Sequence, residues 1–145
     1  ALIQHGIFDE AEGDIKNVLE EQPENEVALT RLGACLLAQG RAEEAFIPLN
    51  EAMTLAPDYP EATYQRALLY LELGEVDSAL TDFETTTRIN HRHLDSLLRI
   101  AAIHHERDDL QHAELAWRAV LDVDPENKLA RRRIEEVRTT IMETG

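Results

Sequence analysis

Residues 26–59, EVALTRLGACLLAQGRAEEAFIPLNEAMTLAPDY, decide the reading of the chain, because the residues that punctuate them return at a step of 34. One step back from Gly40, Ala45, Leu49 and Pro57 stand Gly6, Ala11, Ile15 and Pro23. One step forward stand Gly74, Ala79 and Phe83, and a second step reaches Ala113, Trp117 and Pro125. Within each copy the apolar residues recur every three or four positions on either side of a central break, the pattern of two amphipathic helices joined by a turn. Such a hairpin cannot bury its apolar stripe alone and does so only by stacking on its neighbours. The expectation is an all-α solenoid of antiparallel helix pairs forming a single domain over residues 1–145.

The spacing predicts helices over 7–22, 26–39, 42–55, 60–73, 76–89, 94–107, 110–123 and 128–142. Gly40 and Gly74 suit the left-handed residue that closes a helix. Pro60 suits a first helical position, where its missing N–H costs nothing. Pro48, by contrast, falls inside a predicted helix and is expected to kink or loosen one turn. At 91 the periodic proline is replaced by His91, so the break there rests on the polar segment from Asn90 to His93. Asp108 and Asp109 stand where earlier copies use glycine, at a cost of order 1 kcal/mol if one of them turns left-handed. The boundaries follow: a partial repeat at 1–25, repeats at 26–59, 60–93 and 94–127, and at 128–145 a capping helix or the start of a further repeat. A chain that begins inside a repeat reads as part of a longer protein.

Fourteen Lys and Arg against 29 Asp and Glu give a formal charge of −15. This argues against a nucleic-acid backbone or an anionic lipid surface as the partner and favours basic or apolar ones. The imbalance lies in residues 1–127, with 26 acidic and 9 basic side chains, whereas 128–145 hold 3 and 5. Lys128, Arg131, Arg132, Arg133 and Arg138 read as the exposed face of a last helix rather than a nucleic-acid patch. Cys35 is the lone cysteine, so no intrachain disulfide can form. No run is long and apolar enough for membrane insertion, and ALIQHGIFDEAEG has no signal-peptide pattern. A cytoplasmic chain is expected, unless a segment upstream carries a signal or anchor.

The repeating residues resemble those of the tetratricopeptide repeat family. Its pattern is a large residue, Leu, a small residue and Tyr on the first helix, then Gly, Ala, an aromatic, Ala and Pro. The copy from 26 shows Leu29, Leu32, Gly33, Leu36, Gly40, Ala45, Leu49, Ala52 and Pro57. That from 60 shows Thr63, Arg66, Ala67, Tyr70, Gly74, Ala79, Phe83, Thr86 and His91, and that from 94 shows Leu97, Ile100, Ala101, His104, Asp108, Ala113, Trp117, Val120 and Pro125. Small residues at 33, 67 and 101 let neighbouring helices approach. The resemblance implies a right-handed superhelix. It is strong for the fold and nearly silent about function, because the matched positions are core.

The same resemblance implies a concave groove lined by the first helices of successive copies, where partner peptides lie. By position it holds Val27, Thr30, Arg31, Ala34 and Leu37, then Glu61, Tyr64, Leu68, Leu71 and Glu72, then Asp95, Leu98, Arg99, Ala102 and His105. An exposed stripe of Tyr64, Leu68, Leu71 and Leu98 implies docking of an apolar or amphipathic protein segment with basic flanks that meet Glu61, Glu72, Asp95 and Glu106. One subfamily clamps the C-terminal carboxylate of chaperones with Lys and Asn. The matching positions here hold Thr30, Ala34, Arg31 or Gln65, Asp95 and Arg99, of which Arg99 alone fits, so an anion clamp is not expected.

No metal, cofactor or catalysis is expected. His91, His93, His104, His105 and His112 lack metal-ligand spacing, and the many carboxylates have no nucleophile or phosphate loop beside them. Ser78 and Ser96 read as helix caps. Two alternatives to partner capture stand beside it. One is self-assembly into a homo-oligomer through the open N-terminal end or the face made by Ala130, Ile134, Val137 and Ile141. The other is a recruiting arm for an enzyme domain elsewhere in a longer chain.

Overall fold

The computed structural model describes the backbone of residues 2–144 and the side chains of residues 6–144. Among the described residues eight helices follow one another: α1 (Leu2–Glu21), α2 (Glu26–Ala38), α3 (Ala42–Leu55), α4 (Pro60–Glu72), α5 (Val76–Ile89), α6 (Leu94–Glu106), α7 (Leu110–Val123) and α8 (Lys128–Thr144). No strand occurs among the described residues. The chain divides into two compact units, Ala1–Asp82 and Phe83–Gly145, with the division inside α5.

The turns keep the step of 34 in their backbone geometry. Gly40 and Gly74 have φ of 76° and 77°, and Asp108 takes the same role at φ 56°. In each case the next N–H reaches back to close the helix end: Arg41 to the carbonyl of Leu36 (2.9 Å), Glu75 to Tyr70 (2.8 Å) and Asp109 to His104 (3.0 Å). Three Schellman turns therefore satisfy the orphan carbonyls of α2, α4 and α6. Helix starts repeat likewise. Asn25 and Asn127 accept from the N–H of Ala28 and Ala130 through their side chains, both at 3.0 Å. His93 does so with Nδ1 toward the N–H of Ser96 (3.3 Å). At Tyr59 there is no side-chain cap, and Pro60 opens α4 without needing one.

Three expectations need correction, and Pro48 is accommodated within a continuous α3. α1 runs unbroken from Leu2 through Gly6, whose φ is not positive. Glycine permits the left-handed turn but does not impose it: the chain turns at Gly40 and Gly74, yet α1 continues straight through Gly6. α3 stays helical through Pro48, which is buried. Ser96 does not cap α6; it lies in the first turn with its Oγ buried and unpartnered, while His93 is the cap. The face of α8 offered for self-assembly is covered within its own unit, with Ala130 at 0%, Ile134 at 7% and Val137 at 1% exposure.

In unit 1, α2 packs on α1, α3 and α4. Leu36, Ala45, Leu49 and Leu69 form one buried cluster and Leu29, Ala52 and Ala62 another. The packing leaves no room for a side chain at Gly33, where a Cβ would run into Leu49 Cγ and Cδ2. The copy from 60 departs from the apolar pattern at Arg66, which stands where the other copies have Leu32 and Ile100. Its guanidinium forks onto Asp82 (Nε to Oδ2 2.7 Å, Nη2 to Oδ1 2.9 Å), reaches Asn50 Oδ1 (3.1 Å) and lies 5.6 Å from the centre of the Tyr70 ring. The Asp82 hydrogen bonds hold its pKa above the usual arginine value. Across unit 1, Glu12 accepts from Lys16, Gln39 and Arg41 (3.0, 3.1 and 2.6 Å), tying α1 to the turn after α2. Those bonds, led by that from Lys16, lower the Glu12 pKa.

In unit 2, α7 packs between α6 and α8, and Leu97, Ala101, Ala113, Trp117, Val120, Ala130 and Ile134 form one core. Replacing Gly33 by Ala adds helix propensity of about 1 kcal/mol but overpacks Leu49, at a cost of about 1–3 kcal/mol. A net loss of roughly 1 kcal/mol in a urea titration is the expected result. Asp82→Ala strands a largely buried guanidinium, and a loss of about 2–4 kcal/mol is expected in the same titration.

Candidate partner-binding site

The two units present their first-helix faces differently. On unit 1, α2 lies against α4. Val27, Ala34 and Leu37 on α2 and Tyr64, Leu68 and Leu71 on α4 are half-buried, while Arg31, Glu61 and Glu72 are exposed. The expected open stripe is thus partly covered by its own neighbours. Thr30 is withdrawn from it altogether. At 4% exposure, its hydroxyl donates to the Glu26 carbonyl one turn back (2.7 Å), which leaves no group to offer a partner.

On unit 2 the face acquires a cavity of about 120 Å³, lined by Ala102, His105 and Glu106 of α6, Trp117 of α7, and Leu129 and Arg133 of α8. Ala102 and His105 come from the groove set read off the sequence, and Glu106 from its acidic edge. Trp117 reads as core by spacing, and indeed only 2% of it is exposed, yet it also forms part of this wall. Leu129 and Arg133 went unread as site residues, although the signal was present: they stand one step of 34 after Asp95 and Arg99. Asp95 and Arg99 themselves are exposed and do not line the cavity, and Leu98 packs instead on the core of the unit.

Trp117 and His105 meet edge to face, with ring centroids 6.3 Å apart. Trp117 Nε1 and His105 Nδ1 are buried without a hydrogen-bond partner, so packing rather than hydrogen bonding holds both rings. At the rim, Arg133 is engaged by Glu136 (2.9 Å), and Glu106 is exposed with no ion pair among the described residues. The wall formed by α8 is pinned by Arg138, which donates to Glu114 of α7 (2.8 Å), with Arg118 on the same oxygen (2.9 Å). The bond from Arg138 leads in holding the Glu114 carboxyl below its ordinary 4.5. The remaining basic side chains of α8 are also partly committed: Arg131 donates to the Pro125 carbonyl (2.7 Å), and Arg132 lies 3.9 Å from Glu136.

On the other side of α6, His104 stacks on His112 at 5.3 Å. Asp109 meets His112 Nδ1 at 2.8 Å and His104 Nδ1 only at 3.5 Å, too far for a hydrogen bond. The contact with His112 lowers the Asp109 pKa. Among the described residues no three His, Cys, Asp or Glu side chains are disposed to hold a metal ion. No helix among them is long and apolar enough to cross a membrane.

Two family models, each described as tetratricopeptide repeat, match residues 2–45 and 64–128. DnaJ homolog subfamily C member 3 of Gallus gallus is 29% identical over 142 residues, covering 88% of this chain; the chain spans only 28% of that relative's length. Among solved structures, a tetratricopeptide repeat protein from Parabacteroides merdae ATCC 43184 superposes with a TM-score of 0.79 at 26% identity, over 95% of this chain and 56% of that one. The first TPR of Spaghetti (RPAP3), bound to HSP90 peptide SRMEEVD, has a TM-score of 0.68 at 21% identity, over 81% of this chain and 95% of that one. At that identity the likeness is one of fold. Neither family model names a reaction.

A carboxylate with a lowered folded pKa stabilises above its unfolded value and ceases to do so as pH falls through the folded one. Glu114→Gln is therefore expected to be less stable than the parent chain at pH 7. Thermal melts at stepped pH should show the difference closing below about pH 4.

Proposed function

The chain belongs to the tetratricopeptide repeat family, and from that premise we propose that it captures a segment of a partner protein on the first-helix faces of its repeats. The observation that carries this reading is the unit 2 cavity, where Ala102, Leu129 and the rings of His105 and Trp117 surround space for one apolar side chain and Glu106 stands unpaired at the rim. An apolar anchor desolvated in a small pocket, with a basic neighbour meeting the rim carboxylate, is the ordinary division of labour in peptide recognition. On unit 1, Tyr64, Leu68 and Leu71 of α4, with Val27, Ala34 and Leu37 of α2, supply half-buried apolar surface for the same kind of segment. Arg31, Glu61 and Glu72 set its charge preference.

The HSP90 peptide bound by the first TPR of RPAP3, SRMEEVD, has the opposite character, with three acidic residues. Glu61, Glu72, Asp95 and Glu106 on the proposed faces repel such a ligand, and like charge brought together in an interface costs several kcal/mol. Of the cations on that face, Arg99 stands outside the cavity and Arg133 is engaged by Glu136. Capture of a basic-flanked apolar segment is therefore favoured over an anionic tail.

The test uses two synthetic probes measured by fluorescence polarisation. A twelve-residue peptide with two central leucines and lysines at both ends should bind the chain, and SRMEEVD should bind at least tenfold more weakly. Glu106→Lys should reduce binding of the first probe about tenfold, with the helical circular dichroism unchanged because Glu106 is exposed. Tighter binding of the acidic peptide, or an unchanged affinity in Glu106→Lys, would overturn the reading.

A further inference from the structure

Unit 1 carries a cleft of about 400 Å³ that shares no residue with the faces described above. Pro23 and Glu24 of the turn after α1 form one side. Asn50, Glu51, Thr54 and Leu55, from the last two turns of α3, form the other. The volume lies in the range of small ligand sites, and the floor is apolar. Leu55, the last residue of α3, is 43% exposed, and Thr54 commits its hydroxyl to the Asn50 carbonyl (2.9 Å).

Two kinds of negative potential converge on this floor, from side chains and from helix ends. Glu24 and Glu51 are both exposed, and neither makes an ion pair among the described residues, whereas Glu12, Glu44, Asp82 and Glu114 each hold an arginine. The C-terminal ends of α1 and α3 both lie at the cleft, and each helix end carries roughly half a negative charge on its last carbonyls. Neither helix has a basic residue in its last turn to offset this. The guanidinium of Arg66 does reach Asn50, but the bidentate grip of Asp82 neutralises it.

We propose that this cleft is a second docking point, one that takes an arginine side chain from a partner protein. The aliphatic stem lies along Pro23 and Leu55, and the guanidinium sits between Glu24 and Glu51. Arginine fits better than lysine because its planar cation is weakly hydrated, rests on apolar surface and presents a fork to two carboxylates.

The test follows backbone amide shifts of the whole ¹⁵N-labelled chain titrated with acetyl-Ala-Arg-Ala-amide, its lysine counterpart and its citrulline counterpart, the last a neutral isostere of arginine. The arginine peptide should produce saturable shifts centred on Glu24, Glu51, Thr54 and Leu55. The lysine peptide should move the same amides with several-fold weaker affinity, and the citrulline peptide should leave them in place. Glu24→Gln with Glu51→Gln should weaken the arginine peptide at least tenfold without loss of helix content, while Glu106→Lys should leave it unaffected, which separates this site from the face on unit 2. The inference is overturned if the arginine peptide gives no saturable shifts at 20 mM or shifts spread over the acidic surface. Equal effects of citrulline, or an unchanged response in the double variant, would overturn it as well.

Discussion

Ala45, Ala79 and Ala113 have no exposed surface at all, and the structure depends on what that permits. A helix can lie close along its partner only where the side chain between the two backbones is small. Once it does so, the large residue four positions on, Leu49, Phe83 or Trp117, is shut away from water at 0–2% exposure. Burial of a large apolar side chain is worth about 1.5–3 kcal/mol, and a helix of 13 or 14 residues is marginal without such packing. The turns serve the same end. Schellman geometry at Gly40, Gly74 and Asp108 brings each second helix back antiparallel without leaving the helix-terminal carbonyls unsatisfied.

Packing of this kind uses one stripe of each helix and leaves the rest free for electrostatics. With a charge of −15 the chain repels itself, and its arginines are placed where they offset this. Arg41 draws together Glu12 and Glu44 (2.6 and 2.7 Å), Arg66 holds Asp82, and Arg138 holds Glu114. The exposed pairs add little individually. The Arg66–Asp82 pair differs because Asp82 is almost wholly buried, and a fully hydrogen-bonded partner is what makes a charge tolerable there. Glu24, Glu51 and Glu106 hold no ion pair among the described residues and are available to a visitor.

The hollow in unit 2 arises from the irregularities of the repeat. Ala102 and Leu129 leave a small hollow, Trp117 makes its wall, and the helix after the last complete repeat supplies the remaining side. α8 therefore does two things at once. It covers the core of the unit with Ala130 and Ile134, and it completes the hollow with Leu129 and Arg133.

The family, the eight helices and the turns were legible in the sequence, because a step of 34 fixes which residues are small, apolar or left-handed, and each of those properties belongs to one residue and its near neighbours. Even the role of Asp108 followed from position alone. Gly6, Pro48, Ser96 and Thr30 resisted that reading, since a residue type states what a position permits, and its surroundings decide what it does. Arg66 is the clearest case: in the pattern it is a misfit at an apolar position, and only the approach of Asp82, Asn50 and Tyr70 from other turns of the structure turns it into a satisfied ion pair. The hollow beside His105 and the cleft beside Leu55 likewise belong to no single segment. They are spaces between elements, and a space is set by how side chains far apart in sequence fail to fill it.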